Sequence, residues 1–283
     1  MNIGLVLSGG MAKGAYQIGA LRALSAYIPQ KEISCISCAS VGVLNGYAYA
    51  TGKLDAAEMI WKESVDENQR ILINQMLRSS LLQRRIQDIY GEEDVLSSTF
   101  FGVLLDVKHQ KIVYQNFASI SHQKIVNYLR ACVAMPICNR AIRINGIPYF
   151  DGAMVDNIPV YPLLRQKLDY VVCIYFDDVY YRFENAEFDR SVIKLTFPSK
   201  SIVNESLIFR RDAINQMVED GYQRTCEQLD EVFQKGYQDR DFIYHAIQKR
   251  DHEHTPTLRL TGDVMVSGLN RFAQKFAKRR IEI

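Results

Sequence analysis

Two short apolar runs near the N-terminus, each followed by a small-residue turn and a helical segment, constrain the fold of this chain most. Ile3 to Leu7 is continuous, apolar and bounded by Ser8-Gly9-Gly10, the pattern of a buried strand. Ile18, Leu21, Leu24 and Ile28 recur at helical spacing and predict a helix over residues 15–27. Ile33 to Cys38 reads as a second strand, and residues 43–51 as a small-residue helix ended by Gly52. A βαβα start of this kind predicts an α/β fold: a central, mainly parallel sheet with helices on both faces.

The rest of the chain adds less regular signals. Residues 54–90 are helical in pattern and rich in charge. Residues 102–106 and 111–117 read as a hairpin turning at Lys108-His109-Gln110. Residues 121–134 read as a helix capped by Ser121, and residues 143–150 as short strands about an Asn145-Gly146 turn. Residues 170–176 form another buried strand, residues 177–200 are Tyr- and Phe-rich without a clear period, and residues 202–233 are mostly helical. With 283 residues, no internal repeat and no low-complexity stretch, one domain spanning 1–283 is the economical reading. It carries its motifs in 1–52 and 120–178, a helical insertion over about 53–100 and a C-terminal helical region over 200–283.

A net charge of +2 without any long basic stretch argues against nucleic acid as a partner. The six cysteines, at 35, 38, 132, 138, 173 and 226, lie mostly in apolar runs and read as reduced, buried residues. Cys35 and Cys38 form a CxxC, but no second pair follows at zinc spacing. The N-terminal apolar run is too short for a signal peptide, and no segment approaches the ~18 apolar residues that span a bilayer. The expectation is a cytoplasmic chain with, at most, peripheral contact to a membrane.

Three features carry chemistry. Cys38-Ala39-Ser40-Val41-Gly42 follows the second strand and precedes a helix, the pattern of a nucleophile elbow. On its own the string also fits an ordinary strand-to-helix turn with an inert serine. Ser8-Gly9-Gly10-Met11-Ala12-Lys13-Gly14 joins the first strand to its helix and turns several backbone N–H groups to one point. Its glycines match neither the G-x-G-x-x-G of dinucleotide sites nor the Gly-Lys-Ser/Thr of a P-loop. An oxyanion hole fits better, with Val41 supplying one N–H and Gly9 to Met11 the others. The third feature is Asp151 in Phe150-Asp151-Gly152-Ala153, a tight turn after a short strand. A serine nucleophile needs a base, and none of the five histidines follows a strand as a triad histidine usually does. A carboxylate acting directly must overcome an unperturbed pKa of about 3.9, which burial would raise.

Together these motifs resemble the patatin-like phospholipase family. The family's Gly-rich oxyanion loop with a basic residue matches SGGMAKG at 8–14, its G-x-S-x-G elbow CASVG at 38–42, and its acid motif DGA at 151–153. The flanks agree: AYQIGAL after the loop, VLNG after the elbow, and MVDNIPV after the acid. Residues 131–136 are similar to the helix end ahead of the acid strand, and MVEDGY at 217–222 is similar more weakly. The resemblance implies a three-layer α/β/α sandwich and a Ser-Asp dyad, Ser40 as nucleophile and Asp151 as base. It also implies cleavage of phospholipid or lysophospholipid esters through an acyl-enzyme, without a cofactor or metal. Gly9, Gly10, Met11 and Val41 would form the oxyanion hole. Lys13 matches the family's basic residue and would hold the loop or favour an anionic head group; a solvated lysine is the plain alternative.

Two positions depart from the pattern. Met11 stands where the family usually has a third glycine, and Cys38 replaces the first elbow glycine. A Cβ at Met11 opposes a positive φ, so the loop is expected to be reshaped or to lose a donor. These changes keep open a lipid-binding, catalytically weak or inactive regulatory member; a Ser-His-Asp hydrolase with His252 or His254 as base is a separate alternative. At the C-terminus, Leu269, Phe272 and Phe276 share one helical side, with Lys275, Lys278, Arg279 and Arg280 around it. Such a helix would lie on an anionic membrane or dock on its own domain.

Overall fold

The computed structural model describes residues 1–63, 71–72, 86–136, 139–177, 179–197, 208–259 and 281–282. β1 (Ile3–Leu7) leads through α1 (Gly14–Tyr27) to β2 (Ile33–Cys38), and α2 (Val41–Ala50) and α3 (Leu54–Glu63) follow. β3 (Ile71–Leu72) is brief. β4 (Thr99–Asp106) and β5 (Lys111–Asn116) form one hairpin, and β6 (Ile142–Ile144) and β7 (Ile147–Asp151) another. Then come β8 (Tyr170–Tyr175), β9 (Tyr181–Phe183), β10 (Val192–Thr196), β11 (Ile208–Phe209), β12 (Thr257–Arg259) and β13 (Ile281–Glu282).

The main sheet runs β10-β8-β1-β2-β4-β5-β13, with β7 also paired to β4 and β6 to β7. The centre, from β10 to β4, is parallel throughout, and the antiparallel pairs lie on the far side. Small separate pairs join β3 to β11 and β9 to β12. Alternation along the strands sends Leu5, Leu7, Ile36 and Leu104 to one apolar cluster and Val6, Cys35, Val103 and Cys173 to another. A sheet buried on both faces in this way is the middle layer of an α/β sandwich. α1, α2 and the helix Arg211–Val232 cover the first face. The other face is covered by short turns, Gly152–Met154 and Tyr161–Arg165, and by the helix Ala186–Asp189.

The Arg211–Val232 helix lies backbone to backbone on α1. A Cβ on Gly19 would stand 2.5 Å from Tyr222 N, and one on Gly221 would stand 3.0 Å from Tyr16 Cα. The segment MVEDGY is therefore a packing surface against the helix that follows the glycine loop.

Several sequence expectations change. Residues 177–200 contain β9, a short helix and β10, an edge of the main sheet. Lys194 in the middle of β10 hides its alternation. Its ammonium is buried between Asp189 (3.0 Å) and Asp251 (3.1 Å) and lies 4.9 Å from the Tyr180 ring centre. Ser121 occupies the N-cap position of the helix His122–Cys132, but its side chain makes no capping bond. β4 begins at Thr99, so the end of the expected helical insertion is strand. Much of that insertion, Cys138, and Leu269, Phe272, Lys275, Phe276, Lys278, Arg279 and Arg280 lie outside the described residues.

Candidate active site

The parallel register sets Leu7 opposite Cys38, so the loop after β1 and the turn after β2 open at the same sheet edge. Ala39 N donates to Leu7 O at 3.0 Å and ties the turn to that loop. Ser40 follows with φ 51° and ψ −131°, a backbone region seldom held by a residue with a side chain. It caps α2, and its main chain is bent sharply between strand and helix. Gly42 is required by space: a Cβ there would stand 2.7 Å from Leu7 O and 2.8 Å from Ser8 O. The sequence motif is thus a folded elbow, with Ser40 at its tip.

The glycine loop closes over that tip. A Cβ on Gly9 would lie 2.8 Å from Ser40 Cβ. Gly9 is gripped from both sides by Asn157: Gly9 N donates to Asn157 O at 3.3 Å, and Asn157 Nδ2 donates to Gly9 O at 3.1 Å. The Gly9 N–H is therefore engaged within the protein. The N–H groups of Gly10, Met11 and Val41 have no acceptor among the described residues. Met11 holds φ 53°, so methionine adopts the left-handed conformation that glycine would occupy, and the loop keeps that turn. The Phe176 ring seats against Gly10, where a Cβ would stand 2.5 Å from its Cε2. Lys13 is only 4% exposed, which rules out the solvated-lysine reading.

Asp151 reaches the same point from a different part of the chain. It ends β7 opposite Leu104 of β4, and its N–H donates to Ala134 O at 2.9 Å. Its Oδ1 accepts from Ala153 N at 2.8 Å, and the Ser40 hydroxyl lies near enough to the same carboxyl group to favour its ionised form. Burial lifts the carboxyl from its ordinary 3.8 to about 7, against the opposing pull of the Ser40 hydroxyl and the Ala153 N–H. A carboxylate that titrates near neutral pH beside a serine hydroxyl is suited to take that hydroxyl's proton. The buried thiols of Cys38 and Cys132 stand close by; burial, and for Cys132 also the Asp151 charge, hold them protonated.

A buried polar network braces the elbow from behind. Trp61 Nε1 donates to Asn45 Oδ1 at 2.9 Å, and Asn45 Nδ2 donates to Gly14 O and Gln17 Oε1, both at 2.9 Å. Gln17 Nε2 in turn donates to Ser8 O at 2.8 Å. Asn45, Gln17 and Asn157 escape attention as individual residues in the sequence. Their only signal is a polar amide within or beside a small or apolar run.

His254 and His109 have other partners. His254 stacks on Tyr180, with ring centres 4.2 Å apart, and bonds Arg250 O through Nδ1. His109 pairs with Asp106 in the β4–β5 turn at 2.7 Å. Among the described residues no cluster of three His, Cys, Asp or Glu is placed to hold a metal ion, and no helix is long and apolar enough to cross a membrane.

A family model described as Patatin-like phospholipase matches residues 5–164, more than half of the chain. No curated protein matches. Among solved structures, VipD from Legionella pneumophila is similar at 16% identity and a TM-score of 0.49, over 81% of this chain and 66% of that one. The type III effector protein ExoU is similar at 13% identity and a TM-score of 0.39, over 81% of this chain and 52% of that one. The chain thus spans less than two thirds of either protein.

Proposed function

The chain belongs to the patatin-like phospholipase family, and from that premise we propose that it is a lipid acyl hydrolase working through a Ser40–Asp151 dyad. The observation that carries this reading is the juxtaposition at one sheet edge of Ser40, held at φ 51° under the Gly9 loop, with the buried Asp151 carboxyl, which its hydroxyl influences. Ser40 Oγ attacks the ester carbonyl carbon while its proton passes to Asp151. The carbonyl oxygen becomes an oxyanion, and the N–H groups of Gly10, Met11 and Val41 are the donors that face it. The bond to the leaving alkoxide then breaks, and Asp151 returns the proton to that oxygen, leaving an acyl ester on Ser40. Water repeats the sequence: Asp151 takes its proton, the acyl ester breaks, and Ser40 regains a hydrogen.

The raised pKa matters here. An ordinary aspartate would hold the Ser40 proton only weakly in the transition state, whereas a carboxylate near 7 accepts it more readily and remains about half ionised at neutral pH. Oxyanion donors supply the larger share of the rate, since removing one typically costs about 10²–10³ in turnover. Phospholipid or lysophospholipid esters are the proposed substrates, reached at a lipid surface that Leu269, Phe272, Lys275, Phe276 and Arg279 would help to engage.

A fluorophosphonate probe tests this directly, with ester hydrolysis assayed on short-chain substrates and then on phospholipid and lysophospholipid micelles. Labelling is expected at Ser40, with hydrolysis lost in Ser40→Ala and Asp151→Asn. Folded protein that binds lipid vesicles without labelling or turnover would replace this reading with that of a lipid-binding family member.

A further inference from the structure

The turn after Asp151 is held from the far end of the chain. Asp156 N donates to Gly152 O at 2.9 Å and closes that turn. The Asp156 carboxylate is 1% exposed and accepts from the Tyr114 hydroxyl of β5 at 2.5 Å. Across from it, 3.7 Å away, lies Nη2 of Arg259, a residue only 4% exposed. The guanidinium covers the Tyr181 ring at 4.9 Å. Its strand, β12, is fastened to β9 by bonds from Thr257 N to Tyr180 O and from Glu184 N to Arg259 O.

Arg259 lies well beyond the residues 5–164 that match the family model. Its Nη2 is buried without a hydrogen-bond partner among the described residues. Such a charge persists only beside a compensating one, and Asp156 is the acid it faces. Buried ion pairs add little net stability compared with apolar packing, so the role argued for this one is geometric. The geometry at stake here is that of the next residue. Asn157 follows Asp156 and holds Gly9 by two hydrogen bonds, and Gly9 leads into the loop over Ser40.

We propose that Arg259 is a positioning residue for the site: by pairing with Asp156 it fixes Asn157, and through Asn157 it sets the Gly9–Met11 loop against Ser40. Its effect on turnover rests on the hydrolase reading above; its effect on the loop does not. β12 is then part of the site's support, and the segment matched by the family model is incomplete without it. Asp156 is charged for this role at neutral pH, since burial raises its carboxyl to about 6 while Arg259 and Tyr114 hold the ionised form.

The experiment compares full-length Arg259→Met, Arg259→Lys and Asp156→Asn/Arg259→Met, each first checked for cooperative thermal unfolding. The double variant carries no unpaired buried charge and guards against misfolding of the single one. Hydrogen exchange of the peptide covering residues 8–14 is read alongside kcat and KM per fluorophosphonate-titrated site. Arg259→Met and the double variant are expected to exchange that peptide faster. Their kcat per site should fall about ten-fold or more with KM within two-fold, as for a displaced oxyanion donor. Arg259→Lys, which keeps the charge, should recover part of the loss. Combining Asn157→Ala with Arg259→Met should lose less than the two single losses multiplied. Unchanged loop exchange in folded Arg259→Met and in the double variant would overturn the proposal. If Ser40→Ala turns over like the parent, the hydrolase reading fails, and loop exchange alone decides the role of Arg259.

Discussion

Cys38 and Gly46 share one volume between β2 and α2: a Cβ on Gly46 would stand 2.5 Å from the Cys38 sulfur. The glycine missing from the start of the elbow is offset by a glycine on the facing helix. The larger residue at 38 is thus an accommodated one, and Ser40 keeps its elbow backbone above it. Cys38→Gly should leave kcat within about three-fold and destabilise by about 1 kcal/mol through the void it opens. Gly46→Ala should destabilise by about 1–3 kcal/mol through overpacking. Chemical denaturation with parallel ester assays checks both.

Met11 already holds the φ of 53° that a glycine would take. Met11→Gly should therefore change kcat by less than about three-fold, because the backbone donors do not move. Met11→Val should be worse than Met11→Gly by about 1–3 kcal/mol, since a β-branched residue tolerates a positive φ poorly. A sharp rise in turnover of Met11→Gly would mean that methionine does distort the loop.

Ser40 sits at φ 51° and ψ −131°. Ser40→Ala and Ser40→Gly both remove the hydroxyl, but only glycine relieves the backbone. Ser40→Gly should be the more stable of the two by about 1–3 kcal/mol, with both inactive. Equal unfolding midpoints would argue that this turn carries no strain.

In the proposed dyad Asp151 must be ionised to accept the Ser40 proton, and burial raises its carboxyl to about 7. Log kcat/KM should fall with a slope of one as the pH drops below that value. Stability moves the other way. The folded-state value lies above the ordinary 3.8, so the buried protonated acid contributes stability that is full below 3.8 and lost as the pH rises through about 7. Asp151→Asn should abolish turnover yet gain in unfolding midpoint relative to the parent as the pH is raised from 4 to 8. Thermal melts across that range, beside pH–rate profiles, measure both effects.

Asn45 accepts from Trp61 and donates to Gly14 and Gln17 inside the protein. Asn45→Ala would leave the Trp61 N–H and the Gln17 and Gly14 oxygens without this partner. A loss of about 2–4 kcal/mol is expected, together with lower turnover, because Gln17 also holds Ser8 O at the start of the glycine loop.

Much of the sheet core was legible because its signals are local. The apolar run Ile3–Leu7, the spacing of Ile18, Leu21 and Leu24, and the Asn145-Gly146 turn each act within a few residues. β10 was not legible, since Lys194 looks like a surface residue until Asp189 and Asp251 are brought beside it. Gly9 looked like a free donor because nothing in its own segment announces Asn157. The grip of Arg259 on Asp156 was equally silent, being a single charged pair between distant segments.

The sequence by itself determined the elbow at Ser40, the glycine loop before it and the acid turn at Asp151, because each is a steric pattern of neighbouring residues. Only the tertiary structure decided what those pieces do to one another. Parallel pairing of β1 with β2 puts loop and elbow at one edge, and antiparallel pairing of β7 with β4 brings Asp151 to the hydroxyl. The carboxyl titrates near 7, Gly9 is held by Asn157, and Cys38 fits against Gly46. Burial, hydrogen bonding and packing volume are sums over neighbours drawn from the whole chain, and no local stretch contains them.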